Sequence, residues 1–342
     1  MSEELRRIRL LENKACLEAE PLWREVFWED AKRFTDYYFS HKAEKNRGLV
    51  LEGEDGIRAM LYLTPEHMAV GENRADSVYL VGVATKEKYR HRGYMASLLK
   101  EAFRMLYQEQ MPFVFLMPAS PDIYAPFDFT YIYEKPVWEA ESLRREKLQV
   151  LTERDADRMA DFAQGFLKKE KSVYVWRDRA YYKEQIKELE AQEGCILGYA
   201  GDGGDLEGLC MYTNEGGSPE ITEVLAGREA EAAFVTRGKE TEPVIMARIV
   251  NLKSMLSLLR SEEETEFVLE VTDSLIGENN GRFLCRVKKD GAQITECREV
   301  RKADLQTGIA ELTAIVFGYR KPQGEVFSKI RFLAPVWINE IV

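Results

Sequence analysis

The sequence predicts an α+β protein of two or three domains built on mixed sheets, and three observations lead there. Residues 78–117 read as strand, charged turn, helix and strand. Helices and antiparallel strand pairs precede that unit, where a doubly wound fold would repeat βαβ. The helix-then-strand order then restarts beyond Glu134, in a chain of 342 residues, too long for one ordinary domain.

In chain order, Ile8 to Arg24 and Glu29 to Phe39 read as two helices, with a dense aromatic group that includes Trp23, Phe27, Trp28, Phe34 and Tyr38 beside Glu29 and Asp30. Gly48 to Glu52 and Ile57 to Leu63 alternate around Glu54-Asp55-Gly56, a hairpin signal. Met68 to Val70, turned at Gly71-Glu72-Asn73, leads to the apolar run Val78 to Ala84, long enough for a strand buried on both faces and too short for a helix. Met95, Leu98, Leu99, Ala102 and Leu106 share one helical face, and Phe113 to Met117, closed by Pro118, is the next strand.

Between the first of these strands and the helix lies Arg90-His91-Arg92-Gly93. The first amides of a helix have no internal partner and sit at the positive end of its dipole, which suits phosphate oxygens. Gly93 lets an anion approach the backbone, and Arg90 and Arg92 can add charge-assisted hydrogen bonds. An Arg-x-x-Gly before a helix is also common without a ligand.

Further on, Leu148 to Leu151 reads as a strand and Thr152-x-x-Asp155 as a capping box opening a helix through Met159, Phe162, Ala163, Phe166 and Leu167. A second helix carries Tyr182, Ile186 and Leu189; strands follow at Cys195 to Ala200, Leu206 to Tyr212, Glu220 to Leu225 and Val244 to Val250. Gly201-Asp202-Gly203-Gly204, flanked by carboxylates and two strands, reads as a hairpin turn and not a nucleotide loop. A third region has a helix near Leu252 to Leu259, strands at Phe267 to Val271, Phe283 to Val287 and Gln293 to Cys297, a helix from an Asp304 cap to Phe317, and an apolar terminal strand from Phe332 to Val342.

A net charge of -11 and a pI near 5.2 argue against nucleic acid and favour a cationic partner, although acidity also serves solubility. The five scattered cysteines form no C-x-x-C pair, so neither a metal site nor a disulfide framework is expected. Without an apolar leader or an apolar run of spanning length, the expectation is a cytoplasmic protein with no membrane partner.

Val83-Ala84-Thr85, a spacer and Arg90-x-x-Gly93 resemble the acetyl-CoA motif of GNAT N-acetyltransferases, usually R-x-x-G-x-G or R-x-x-G-x-A. Met95 replaces the small last residue, as is frequent in the enhanced-intracellular-survival (Eis) branch. Ala119-Ser120, Ile123-Tyr124 and Phe127 resemble that branch's active-site loop, and VLEVTD with Asn280-Gly281 resembles its sterol-carrier-like domain.

The resemblance implies two GNAT-like mixed-sheet domains followed by a sterol-carrier-like α/β domain: residues 1–137, a second GNAT-like domain at 138–246 lacking the CoA motif, and 247–342. It implies acetyl-CoA as co-substrate with no metal, a primary amine of a cationic small molecule or of lysine as acceptor, and a homo-oligomer, hexameric in the family's habit. Val83, Ala84 and Thr85 would hold the pantetheine arm, amides from His91 through Tyr94, Met95 and Ala96 the pyrophosphate, and Ala119 and Ser120 would lie beside the cofactor. Tyr124 would be the general acid and the terminal carboxylate of Val342 the base, with Glu340 as a side-chain rival. Phe27, Trp28, Glu29 and Asp30 would face the acceptor, or else merely pack helices on the sheet. The alternative reading is a non-catalytic CoA sensor or lipid-binding protein.

Overall fold

The computed structural model describes residues 7–138, 143, 148–234, 237–297 and 301–340. Its first unit begins with strand β1 (Arg7–Glu12), helices α1 (Glu20–Val26) and α2 (Lys32–Tyr37), and strands β2 (Arg47–Gly53), β3 (Gly56–Val70) and β4 (Asn73–Thr85). Helix α3 (Tyr94–Gln108), β5 (Phe113–Leu116), the single turn α4 (Pro121–Tyr124) and β6 (Thr130–Trp138) complete it. The hairpin at Glu54-Asp55 forms as expected, with Gly56 at φ 95° supplying the left-handed backbone that the turn needs.

Two early expectations fail. Ile8 to Glu12 is not helical: it pairs antiparallel with Leu51 to Arg47, and Arg9 adds a 2.6 Å bond to Glu52 across the pair. A ready sheet edge outweighs a local pattern compatible with either state. Met68 to Val70 is no separate strand but the far end of the 15-residue β3.

The second unit has β7 (Gln149–Leu151), α5 (Ala156–Glu170), β8 (Val173–Val175), α6 (Arg179–Ala191), β9 (Cys195–Ala200), β10 (Leu206–Thr213), β11 (Glu220–Ala226) and α7 (Arg228–Phe234). The Thr152–Asp155 capping box forms with both of its hydrogen bonds, and Gly201 to Gly204 is the turn between β9 and β10. A four-stranded sheet runs β11-β10-β9-β7.

Strand β12 (Arg237–Ile249) returns to the first sheet and runs antiparallel between β5 and β6. The expected boundary at 246/247 therefore falls inside a strand belonging to the first unit's sheet. Sequence shows a strand there but not its neighbours, since pairing between distant segments leaves no local mark.

The third unit contains α8 (Leu252–Leu256), β13 (Arg260–Ser261), β14 (Thr265–Thr272), β15 (Gly281–Lys288), β16 (Gly291–Glu296), β17 (Leu305–Gly308), α9 (Ile309–Val316), β18 (Ile330–Arg331) and β19 (Val336–Trp337). Asp304 caps no helix. Its carboxylate accepts the Val268 amide at 2.7 Å, and Leu305 to Gly308 extends parallel to β14 before α9 starts at Ile309. Among the described residues the expected terminal strand is confined to Val336–Trp337, which pairs parallel with β8, itself antiparallel to the end of β3. The tail is thus joined through β8 to the first sheet's longest strand. Among the described residues no helix is long and apolar enough to cross a membrane.

Candidate active site

Strands β4 and β5 are parallel and pair only at Val78–Val114 and Tyr79–Phe115. Beyond Tyr79 they part. β4 also bulges against β3, where Met60 faces Ala84 and Tyr62 faces Val81, and Gly82 sits in the bulge at φ 61°. A Cβ at Gly82 would lie 2.4 Å from the Trp23 ring, so both the conformation and the close approach require glycine. Val83, Ala84 and Thr85 follow on the parted stretch, their backbone turned away from pairing with β5.

The turn after β4 is built as the sequence suggests. His91 and Gly93 take left-handed backbone, φ 60° and 76°, and Gly93 is the N-cap of α3. A Cβ on Gly93 would meet nothing within 4 Å, so the approach to the first-turn amides is open. Tyr94 is buried against Tyr89 at 5.9 Å, which anchors the turn, while Met95 and Ala96 are half-buried. Arg90 and Arg92 are exposed and neither pairs with a carboxylate among the described residues; Arg92 lies over the Tyr89 ring at 5.3 Å. An open helix N-terminus flanked by two exposed guanidinium groups, of which Arg90 also donates through Nε to the Thr85 carbonyl at 3.4 Å, fits a pyrophosphate.

Ala119 and Ser120 lie in the loop leaving β5, and the Ser120 carbonyl accepts the Ile123 amide at 3.2 Å as that loop turns. Tyr124 is buried, its ring edge-on to Phe129 at 5.9 Å, and Phe129 in turn packs on Phe103 of α3. Burial pushes the Tyr124 phenol up to about 12, so it is protonated at neutral pH.

A cavity of about 350 Å³ lies between the first unit, α6 and β10–β11 of the second, and the tail. Tyr38, Lys42, Thr64, Glu66 and Tyr79 line it from the first unit, Tyr181, Glu184 and Glu188 from α6, and Asn339 and Glu340 from the tail. Tyr79 links the two halves of the site: it makes the last β4–β5 pair, stacks on Phe115 at 5.3 Å and faces the cavity.

A buried ionic cluster fixes the tail there. Arg177 pairs with Glu223 and reaches Glu340 at 3.3 Å; Glu223 also accepts from Trp337 at 2.6 Å and Asn339 at 2.9 Å; Tyr133 donates to Asn339 at 3.0 Å. Burial raises the Glu223 carboxyl, but the Arg177 charge and these hydrogen bonds outweigh it and hold the group below its ordinary value. Glu340 is raised, by burial first and by Glu223, and accepts from Tyr181 at 2.8 Å. Glu340 is therefore a committed partner. Val342 lies outside the described residues.

Phe27, Trp28, Glu29 and Asp30 do not line the cavity. Phe27 packs on Trp23, Trp28 is 75% exposed, Glu29 is exposed, and Asp30 accepts the Trp23 indole N–H at 3.0 Å. Phe27 and Asp30 thus serve Trp23, while Trp28 and Glu29 face solvent. Sequence reading missed Glu66, Tyr181, Glu184 and Glu188. The last three recur at helical spacing, a pattern that ordinarily marks a solvated face; Glu66 is a lone carboxylate in a strand and carries no signal.

Residues 7–132 match the acetyltransferase (GNAT) domain family, and residues 252–327 the sterol carrier protein domain family. No curated protein matches in sequence. In fold the chain is similar to a GCN5-related N-acetyltransferase from Kribbella flavida (TM-score 0.77, 16% identity, 98% of this chain and 99% of that one). It is also similar to one from Anabaena variabilis (TM-score 0.75, 17% identity, 98% and 100%) and to Eis1 from Mycobacterium abscessus (TM-score 0.67, 12% identity, 96% and 94%). The parted strands and glycine-capped helix thus lie within a GNAT acetyltransferase domain, in a chain that also carries a sterol carrier domain and shares its fold over nearly its whole length with these solved structures.

Proposed function

We propose that this chain transfers an acetyl group from acetyl-CoA to a primary amine of a cationic small molecule, aminoglycoside- or polyamine-like, or of lysine. The observation that carries this reading is the shared position of Tyr79, at the last β4–β5 pair and in the wall of an acidic, aromatic cavity. A donor on the parted strands and an acceptor in the cavity would meet there. Arg90, Arg92 and the amides of His91 to Ala96 hold the pyrophosphate, and the backbone of Val83 to Thr85 the pantetheine arm, with Ala119 and Ser120 alongside.

The neutral amine attacks the thioester carbonyl, forming C–N as C–S breaks. Tyr124, kept protonated by its burial, gives its phenolic proton to the departing thiolate. The carboxylate of Val342 takes the amine's proton, with the Arg177–Glu223 cluster steadying the tail that leads to it. Residues 138–246 act as a second GNAT-like domain without a nucleotide turn, supplying the cavity's outer wall.

The test is release of CoA thiol when acetyl-CoA meets a panel of polyamines, aminoglycosides and lysine peptides. Release with at least one amine is expected; CoA binding without release to any of them would leave a sensor or lipid-binding role instead.

A further inference from the structure

Five carboxylates line the cavity, and four of them have a basic side chain of the protein within ion-pair distance. Glu184 pairs with Lys45 at 2.6 Å, Glu188 with Lys42 at 2.7 Å, Glu220 with Lys135 at 3.2 Å and Glu340 with Arg177 at 3.3 Å. Glu66 alone has no hydrogen bond or ion pair among the described residues. It is half-buried on β3, on the same strand face as Thr64, whose cross-strand neighbour is Tyr79. Glu66 thus looks into the cavity a short way from the point where β4 and β5 part.

An acid left without a partner in a concave, ring-lined space either keeps its proton or exchanges it for a cation from outside. That cation is not the reacting nitrogen, which must be neutral to attack. Resting on the acetyl-transfer reading above, we propose that Glu66 anchors a second ammonium group of the acceptor, so that the substrates are molecules carrying at least two basic nitrogens.

The charges around Glu66 give this anchor a pH signature. Glu340 from the tail and Glu188 from α6 face it with like charge, Lys42 from the segment after α2 faces it with opposite charge, and the phenols of Tyr79 and Tyr181 complete the wall. Burial first, and then Glu340, push the carboxyl up to about 8. At neutral pH the empty site is mostly protonated, and an ammonium displaces that proton. Binding therefore releases on the order of one proton near pH 7, and affinity rises with pH until the carboxyl is ionised.

The experiment compares α,ω-diaminoalkanes with monoamines of the same chain length, for the full chain and for Glu66→Gln. It records KM by CoA release, and proton release by calorimetry in buffers of different ionisation enthalpy. The expectation is a diamine KM about tenfold below the monoamine's at the favoured length, and a ratio near one in Glu66→Gln, together with loss of the released proton. A diamine preference that survives the substitution, or none at any chain length, overturns the anchor. If no amine yields CoA while diamines still bind with proton release that Glu66→Gln abolishes, the anchor stands and acetyl transfer falls. Absence of both turnover and binding removes the anchor.

Discussion

The guanidinium of Arg177, fully buried, bonds the carboxylate of Glu223 through both of its terminal nitrogens, at 2.8 Å through Nη2. The pair joins the segment after β8 to β11, and Glu223 in turn holds Trp337 and Asn339. One ion pair thereby ties the second unit, the first sheet's β8 extension and the tail.

Removing half of that pair strands a charge in the interior. Arg177→Met is expected to lower the stability of the chain by about 3–5 kcal/mol, read by urea or thermal melting. Glu223→Gln keeps the shape and is expected to cost less. It should also make the C-terminal residues more accessible to carboxypeptidase, seen by mass spectrometry; unchanged release would show that the tail is held by packing alone.

Tyr124→Phe keeps the ring against Phe129 and removes the proton. Turnover is expected to fall by ten- to a hundredfold while acetyl-CoA affinity stays nearly constant, since the lost interaction exists only in the transition state. Pre-steady-state acetyl transfer and a direct binding titration separate the two quantities.

A peptide tag appended after Val342 is expected to slow acetylation far more than the same tag placed before Met1. Equal rates for the two fusions would remove the terminal carboxylate from the proposed reaction.

Gly93→Ala introduces no clash, so its effect is conformational. Holding alanine at φ 76° costs about 1–2 kcal/mol and tends to rotate the first amides of α3. Weaker acetyl-CoA binding by several-fold is expected in a titration, with a lowered melting temperature.

Glu66→Gln gives an opposite sign in stability. The wild-type carboxyl titrates near 8 when folded against 4.5 as its ordinary value, so folding is increasingly opposed as pH rises through that interval. The variant is expected to melt above the wild type at about pH 9 and to show little difference at about pH 4. A constant offset across this range would mean that the carboxyl is not perturbed by its surroundings.

The part of the site proposed for the donor was legible because its pattern is local. A strand, a left-handed glycine and a helix start within about forty residues leave a readable pattern, and Arg90, Gly93 and the loop of Tyr124 take the local structures expected of them. The acceptor half was not legible in the same way. The aromatic segment around Phe27 to Asp30 drew attention by composition, yet Phe27 packs on Trp23, Asp30 serves its indole and Trp28 faces solvent, whereas the cavity is lined by Glu66 from β3 and Tyr181 and Glu188 from α6.

From the sequence alone came most of the elements and the Arg-x-x-Gly turn that opens α3, because helix period, strand alternation and turn residues act over a few positions. Tertiary structure alone decided that β12 closes the first sheet, that the tail is pinned by a buried arginine, and that Glu66 is left without a partner. Each of these depends on segments brought together across more than a hundred residues, where burial and charge pairing are settled by the whole fold.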